Sequence, residues 1–266
     1  MAKEHILHLR RHLQARPAEL RGVEIEVPGT NEKAEVGKGV FPDKIVRLNP
    51  GESQKGYELG KKLYVPKGAE TISVLYSPLR RAEDTAAYMF LGLLSQHPEL
   101  RVLEMRATEG LNETHYLNSQ GQPDEGNELV AIAYNKIVNP DHPSYRLMIH
   151  LGLQANDPRV EPAGVTSERA LRSLIPNTLT SDVCLAASHQ PNLELVAAEL
   201  VGYKGKDEKE LVNSIRDLFP VGEGLALRVF TENKRIADSY LERSDKDFKH
   251  QVDKALIDHY AGLIIS

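Results

Sequence analysis

Three short segments place an imidazole or a guanidinium directly after an apolar run: Arg11-His12, Ser77-Pro78-Leu79-Arg80-Arg81-Ala82-Glu83-Asp84-Thr85-Ala86, and Ser188-His189. A fourth, Leu111-Asn112-Glu113-Thr114-His115-Tyr116, adds a carboxylate. Brought together at one strand edge, Arg11, Arg81, His12, His189 and Glu113 would make a phosphoryl-transfer site. A neutral imidazole, with a reference pKa of about 6.5, has a free nitrogen near neutral pH and can attack phosphorus in line, which suits His12. Arg11 and Arg81 offer fixed forks of donors to the equatorial oxygens of the transferring group, and protonated His189 is a further donor. These cations would also lower the pKa of His12 and keep it nucleophilic. The departing alkoxide needs a proton. Glu113, its carboxyl kept protonated by an anionic neighbour, can supply that proton and later activate water. The scheme requires neither a metal nor a cofactor.

Such a set works only if the fold gathers it, and the periodicity indicates how. Short apolar runs at 5–10, 72–76, 101–105, 182–187 and 225–230 read as strands, alternating with helical stretches at 56–63, 82–94 and 193–201. In 82–94, Ala86, Met89, Phe90 and Leu93 share one face. This alternation predicts an α/β fold, a three-layer α/β/α sandwich with a largely parallel central sheet. In such sheets ligands sit where strands end and helices begin, which is where the polar segments fall. Two regions are less regular: 22–50 is rich in Gly, Pro and charge, and 117–165 carries Pro123, Pro140, Pro143, Pro158 and Pro162. The second could cover the site as a lid, with a helix at 128–138 on the face formed by Leu129, Ile132, Ala133 and Ile137. The stretch from Asp247 reads as an amphipathic closing helix with Val252, Leu256 and Tyr260 on one side. One domain over 1–266 is expected.

Taken singly, each chemical residue has a structural alternative. Arg11-His12 could be a solvated strand edge, and Ser77-Pro78 could begin a helix whose exposed first turn holds Arg80 and Arg81. Glu113 could be a surface carboxylate and His189 a satisfied core histidine. Their joint occurrence at successive strand ends argues against all four at once. His5, His8 and His12 do not form a metal site on this reading, because His5 and His8 point to opposite faces of a strand. His115 and Tyr116 have two readings, contact with phosphate or substrate and packing beside the lid. Glu83 and Asp84 are expected to face solvent or pair with Arg80.

At this point the sequence resembles the histidine phosphatase superfamily, which includes cofactor-dependent phosphoglycerate mutases and many phosphatases. Arg11-His12 occupy the first two places of its Arg-His-Gly motif, and Ser77 to Ala86 match its Ser-x-Leu-x-Arg-Ala-x-x-Thr-Ala signature in full. The resemblance makes Arg81 the second phosphate-binding arginine. Leu111 to Tyr116 is similar to the mutases' Leu-Asn-Glu-Arg-His-Tyr, which puts Glu113 in the place of the proton donor, and Ser188-His189 matches the late histidine motif. Residues 48–63, with Gly56 and Gly60, look like the family's first helix. Two departures stand out: Leu13 where the family has Gly, and Gln190-Pro191 where mutases have Gly-Asn. Arg16-Pro17 is similar, with spacing shifted by one, to the Arg-x-Pro of the acid phosphatase branch, so Arg16 is a further candidate phosphate ligand.

Composition agrees with this chemistry. The chain has 266 residues, 41% hydrophobic, enough to bury a substantial core. A net charge of -5 gives no basic field for nucleic acid, and no apolar stretch near the N-terminus is long enough for a signal peptide or membrane span. Cys184 is the only cysteine, set among Val183, Leu185 and Ala186 as a buried thiol would be, so a reducing, cytoplasmic setting is expected. The first functional expectation is a phosphomonoesterase acting on a small phosphorylated molecule through a phosphohistidine on His12. A phosphoglycerate mutase-like phosphotransferase and a non-catalytic phosphate binder are the alternatives, the latter if Leu13 disrupts the turn behind His12. Substrate identity and oligomeric state are left open by the sequence.

Overall fold

The computed structural model describes residues 2–14, 24–26, 33–35, 48–112, 161–203, 208–215, 218–243 and 246–262. In chain order these form β1 (Lys3–Arg11), β2 (Glu24–Glu26), β3 (Lys33–Glu35), α1 (Glu52–Gly60), β4 (Thr71–Tyr76), α2 (Arg80–Gln96), β5 (Arg101–Ala107), a 3-10 turn (Glu109–Leu111), α3 (Ala163–Thr180), β6 (Val183–Ser188), α4 (Asn192–Leu200), α5 (Glu208–Ser214), β7 (Gly224–Glu232), β8 (Arg235–Arg243), β9 (Lys249–Gln251) and α6 (Lys254–Ala261). Seven strands make one sheet in the order β5-β4-β6-β1-β7-β8-β9, while β2 and β3 pair separately.

The parallel part of the sheet is β5, β4, β6 and β1, whose central strands are apolar on both faces. One face of β1, β4 and β6 presents Ile6, Ile72, Val74, Val183, Leu185 and Ala187 to Ala82, Ala86, Met89 and Leu93 of α2. The other presents Leu7, Leu9, Leu75, Cys184 and Ala186 to α3, α4 and α6. The α/β/α layering expected from the sequence is present, with a sheet that is parallel in its core and antiparallel beyond it. β7, β8 and β9 run antiparallel, and the β7–β8 hairpin turns through Asn233 and Lys234, both at positive φ (53° and 63°). This is the primed-turn geometry that fits strand twist, without the usual Gly in second place.

Three expectations change. The stretch 163–180, whose start had been grouped with the irregular region, is a helix of 18 residues with Ala170, Leu171, Leu174, Ile175 and Thr178 as its buried stripe, despite Pro176 inside it. The closing helix begins only at Lys254, because residues 249–251 pair with β8 as a strand. Within 22–50 the structure contains the β2–β3 pair. The helix expected at 128–138 lies outside the described residues, as does most of the 117–165 region.

Two contacts fix the frame around the site. α1 and α2 approach so closely that a Cβ on Gly60 would lie 2.0 Å from the Met89 carbonyl oxygen, and one on Gly92 2.0 Å from that of Tyr57. At the N-terminal edge of the sheet, the Asp182 carboxylate accepts from the Glu70 and Thr71 amides and the Thr71 hydroxyl at 2.8–3.0 Å, and meets Lys3 Nζ at 2.6 Å. Burial alone would raise its pKa, but Lys3 and the three donors outweigh it and hold the carboxyl at about 2. Among the described residues, no helix is long and apolar enough to cross a membrane.

Candidate active site

The C-terminal ends of β4, β6 and β1 lie side by side. Arg11 is level with Ser188, the His12 amide donates to Ser188 O at 2.9 Å, and the Ser77 amide donates to Ala187 O at 3.0 Å. His12, Ser77 and His189, each the first residue after its strand, therefore meet at one edge, as the ends of parallel strands must when their registers match.

His12 is held at both ring nitrogens. Nδ1–H donates to the Leu13 carbonyl at 2.6 Å, and Nε2 accepts from Arg81 Nε–H at 3.1 Å. The Nδ1 bond fixes the tautomer, so the Nε2 lone pair is the one directed at the Arg81 guanidinium. The His189 ring, fully buried, stands with its centroid 4.9 Å from that of His12. Burial first, then the charges of Arg81 and His189 and last that of Arg11, push the pKa of His12 well below its ordinary value, while the Leu13 carbonyl opposes them. The imidazole is thus neutral, with a nucleophilic nitrogen, throughout the neutral range.

Arg81 comes from the first turn of α2, which starts at Arg80 after an extended Leu79. It is buried, whereas Arg80 is partly exposed, donates to Glu83 at 2.6 Å and forms an ion pair with Asp84 at 3.7 Å. One turn further on, the Thr85 hydroxyl donates to Arg81 O at 2.7 Å and accepts from the Leu13 amide at 2.9 Å. This clasp holds the turn behind His12. Leu13 itself is fully buried, its methyl carbons filling the space that Gly56 and Gly222 leave, since a Cβ on either would fall 2.8–2.9 Å from them. Leu13 sits in this turn without disrupting it, because two glycines elsewhere make room for its side chain.

Arg11 is placed differently from Arg81. Its guanidinium donates to Phe219 O at 2.8 Å and its charge acts on the buried Glu194 of α4. Burial pushes the Glu194 carboxyl up, opposed by Arg11 and Arg243, and its Oε1 accepts from the Phe219 amide at 3.3 Å. Arg11 therefore also braces the loop that precedes β7. Neither Glu194 nor Thr85 was given a role from the sequence. Nothing in the sequence separates Glu194 from other helix carboxylates, and its zero exposure is what distinguishes it.

The segment leading to Glu113 is anchored beside the same edge. Ser188 Oγ donates to Leu111 O at 2.8 Å, Asn192 Nδ2 donates to Asn112 O, and Ser77 Oγ lies 3.5 Å from Asn112 Oδ1. Glu113, His115, Tyr116 and Arg16 lie outside the described residues. His5 and His8 do not approach His12's bonds: His5 Nδ1 pairs with Ser181 O at 2.8 Å and His8 Nε2 with Tyr64 O at 2.7 Å.

No protein-family model matches the chain, and no curated protein matches it by sequence. Among solved structures it is similar to a mycobacterial glucosyl-3-phosphoglycerate phosphatase, at 15% identity over 86% of this chain and 91% of that one, with a TM-score of 0.48. It is similar to the phosphoglycerate mutase of Bacillus anthracis at 13% identity over 86% and 92% of the two chains, TM-score 0.48. The mutase of Plasmodium falciparum gives 12% identity over 94% and 97%, TM-score 0.41.

Proposed function

We propose that the chain is a phosphomonoesterase in which Nε2 of His12 accepts a phosphoryl group from a small phosphorylated molecule. The observation that carries this reading is the state of His12: its Nδ1 proton is committed to Leu13 O, its Nε2 accepts from Arg81, and burial beside cations keeps the ring unprotonated. A phosphate dianion is a stronger acceptor than a neutral imidazole. On its arrival the Arg81 guanidinium moves its hydrogen bonds to phosphate oxygens, leaving the Nε2 lone pair facing phosphorus. The P–O bond to the leaving group then breaks as N–P forms, and the leaving oxygen takes a proton from Glu113. Water attacks the phosphohistidine in the second half-reaction, with the same carboxylate as base, and inorganic phosphate leaves. His189 and Arg81 stabilise the charge on the equatorial oxygens, Arg11 adds its field from the Phe219 side, and Arg16, His115 and Tyr116 remain candidates for binding phosphate or substrate.

The test is phosphate release from an aryl phosphate, together with acid quench of labelled substrate. The wild type should give an adduct that is labile in acid and stable in base. His12→Ala should give neither adduct nor turnover, a loss of several orders of magnitude. Full activity of His12→Ala would refute nucleophilic catalysis. Phosphate binding without turnover in the wild type would favour a non-catalytic binder.

A further inference from the structure

The first turn of α4, just past His189, carries a carboxylate that no step of the proposed reaction uses. Glu194 is 0% exposed, and its Oε2 has no hydrogen-bond partner among the described residues. Burying a carboxylate costs free energy unless cations and donors offset it. Here the charges of Arg11 and Arg243 do so, and the Phe219 amide donates to Oε1 at 3.3 Å. An apolar side chain of similar size would pack in α4 without that cost. What the carboxylate adds is a hold on the loop that precedes β7.

That loop is gripped one peptide at a time. The peptide between Leu218 and Phe219 is fastened at both ends: its N–H donates to Glu194, and its C=O accepts from Arg243 Nη2 at 3.0 Å. Arg243 also donates through Nη1 to Ile215 O at 2.8 Å, and its guanidinium stands 4.2 Å from the centroid of the Phe219 ring. The next carbonyl, that of Phe219, accepts from Arg11 Nη1 at 2.8 Å. Pro220 follows and restricts Phe219 to extended backbone, so fixing the Leu218–Phe219 peptide also fixes the direction of Phe219 O. The backbone of Arg11 is set separately, by its amide donating to Glu223 O at 2.9 Å. A long arginine side chain keeps much rotamer freedom when only its backbone is held, so the guanidinium needs an anchor of its own.

We infer that Glu194 is a positioning residue for Arg11: through the Leu218–Phe219 peptide it sets where the guanidinium stands, and thereby how tightly the strand edge binds a phosphate group. The inference rests on the reading of that edge as a phosphoryl-transfer site. A guanidinium binds phosphate through a planar fork of donors, so its orientation matters as well as its charge.

The experiment measures binding of orthophosphate to the full chain by titration calorimetry, which does not require turnover. Glu194→Gln and Glu194→Met remove the same charge from the same helix position, but only the glutamine keeps an oxygen for the Phe219 amide. The difference between the two therefore isolates that bond. Glu194→Met should bind phosphate about tenfold to a hundredfold more weakly than Glu194→Gln. In an Arg11→Lys background, where no planar fork is left to orient, the difference should fall below about twofold. Circular dichroism checks that each variant is folded. Should the methionine variant not fold, Arg243→Lys tests the same peptide from its other end. It keeps the charge and loses the fork that reaches Ile215 O and Leu218 O, so phosphate binding should weaken beside Arg11 and not in the Arg11→Lys background. Equal binding by the glutamine and methionine variants, or a difference that persists undiminished without Arg11, would overturn the inference while leaving the phosphate site standing. A wild type that binds no phosphate would overturn the site and the inference together.

Discussion

Thr85→Val should loosen the turn behind His12 while leaving the volume of the side chain nearly unchanged. Thr85 Oγ1 accepts from the Leu13 amide at 2.9 Å and donates to Arg81 O at 2.7 Å, and the residue is fully buried. The loss at Arg81 O is small, since that carbonyl still accepts the helical amide one turn on in α2. The loss at Leu13 is not, because its amide is left buried without an acceptor, at a cost of about 1–3 kcal/mol. For a chain near this size that lowers the melting temperature by roughly 2–12 °C. Thr85→Ser keeps the hydroxyl and removes one methyl, so it should lose about 1 kcal/mol and less than the valine. Activity should separate the two further. Leu13 O orients Nδ1 of His12, and a misplaced imidazole lowers turnover of an aryl phosphate by about tenfold to a hundredfold in Thr85→Val, with Thr85→Ser near the wild type. The measurements are calorimetric melting and initial rates. A valine variant as stable as the wild type, or a serine variant that loses as much, would show that the Leu13 amide does not depend on this hydroxyl.

Acid should destabilise the protein through its buried histidines. Burial, then the charge of Arg10, lowers His8 to about 3, against about 6.5 in an unfolded chain, so below pH 6.5 the unfolded state takes up a proton that the folded state refuses. The stability present above pH 6.5 is lost toward pH 3 at about 1.4 kcal/mol per unit for His8, and His12 acts with the same sign. Urea titrations at several pH values should show this slope, and His8→Gln, which keeps a donor for Tyr64 O, should flatten it by about that amount; an unchanged slope would mean that His8 is charged in the fold. Gly60→Ala should cost about 1–3 kcal/mol or more in chemical denaturation, because its Cβ would fall 2.0 Å from Met89 O, whereas Gly164→Ala, with nothing within 4 Å, should be neutral or slightly stabilising.

The sequence determined the parts of this protein that depend on local pattern. Apolar runs located β1, β4, β5, β6 and β7 to within about two residues, and in β1, β4 and β6 burial on both faces leaves little choice of period. They also set His12, Ser77 and His189 just past strand ends, where an α/β sheet holds its ligands. The elements it missed lacked that signal. α3 carries Pro176 among several polar residues, and β8 alternates charged and half-buried side chains behind a hairpin turn without glycine. Tertiary structure alone decided what each polar residue does once gathered. Arg80 and Arg81 are neighbours in sequence, yet one pairs with Glu83 near the surface and the other is buried against His12, because a helix turns consecutive side chains by about 100°. Leu13 reads as a departure from a glycine motif until Gly56 and Gly222, far apart in the chain, are seen to make its pocket. Glu194 becomes distinctive only when α4 packs it beside Arg11, Arg243 and Phe219. Patterning follows from the alternation of a single strand or the turn of a single helix. The pairing of buried polar groups depends on which elements meet, and short-range periodicity carries no record of that.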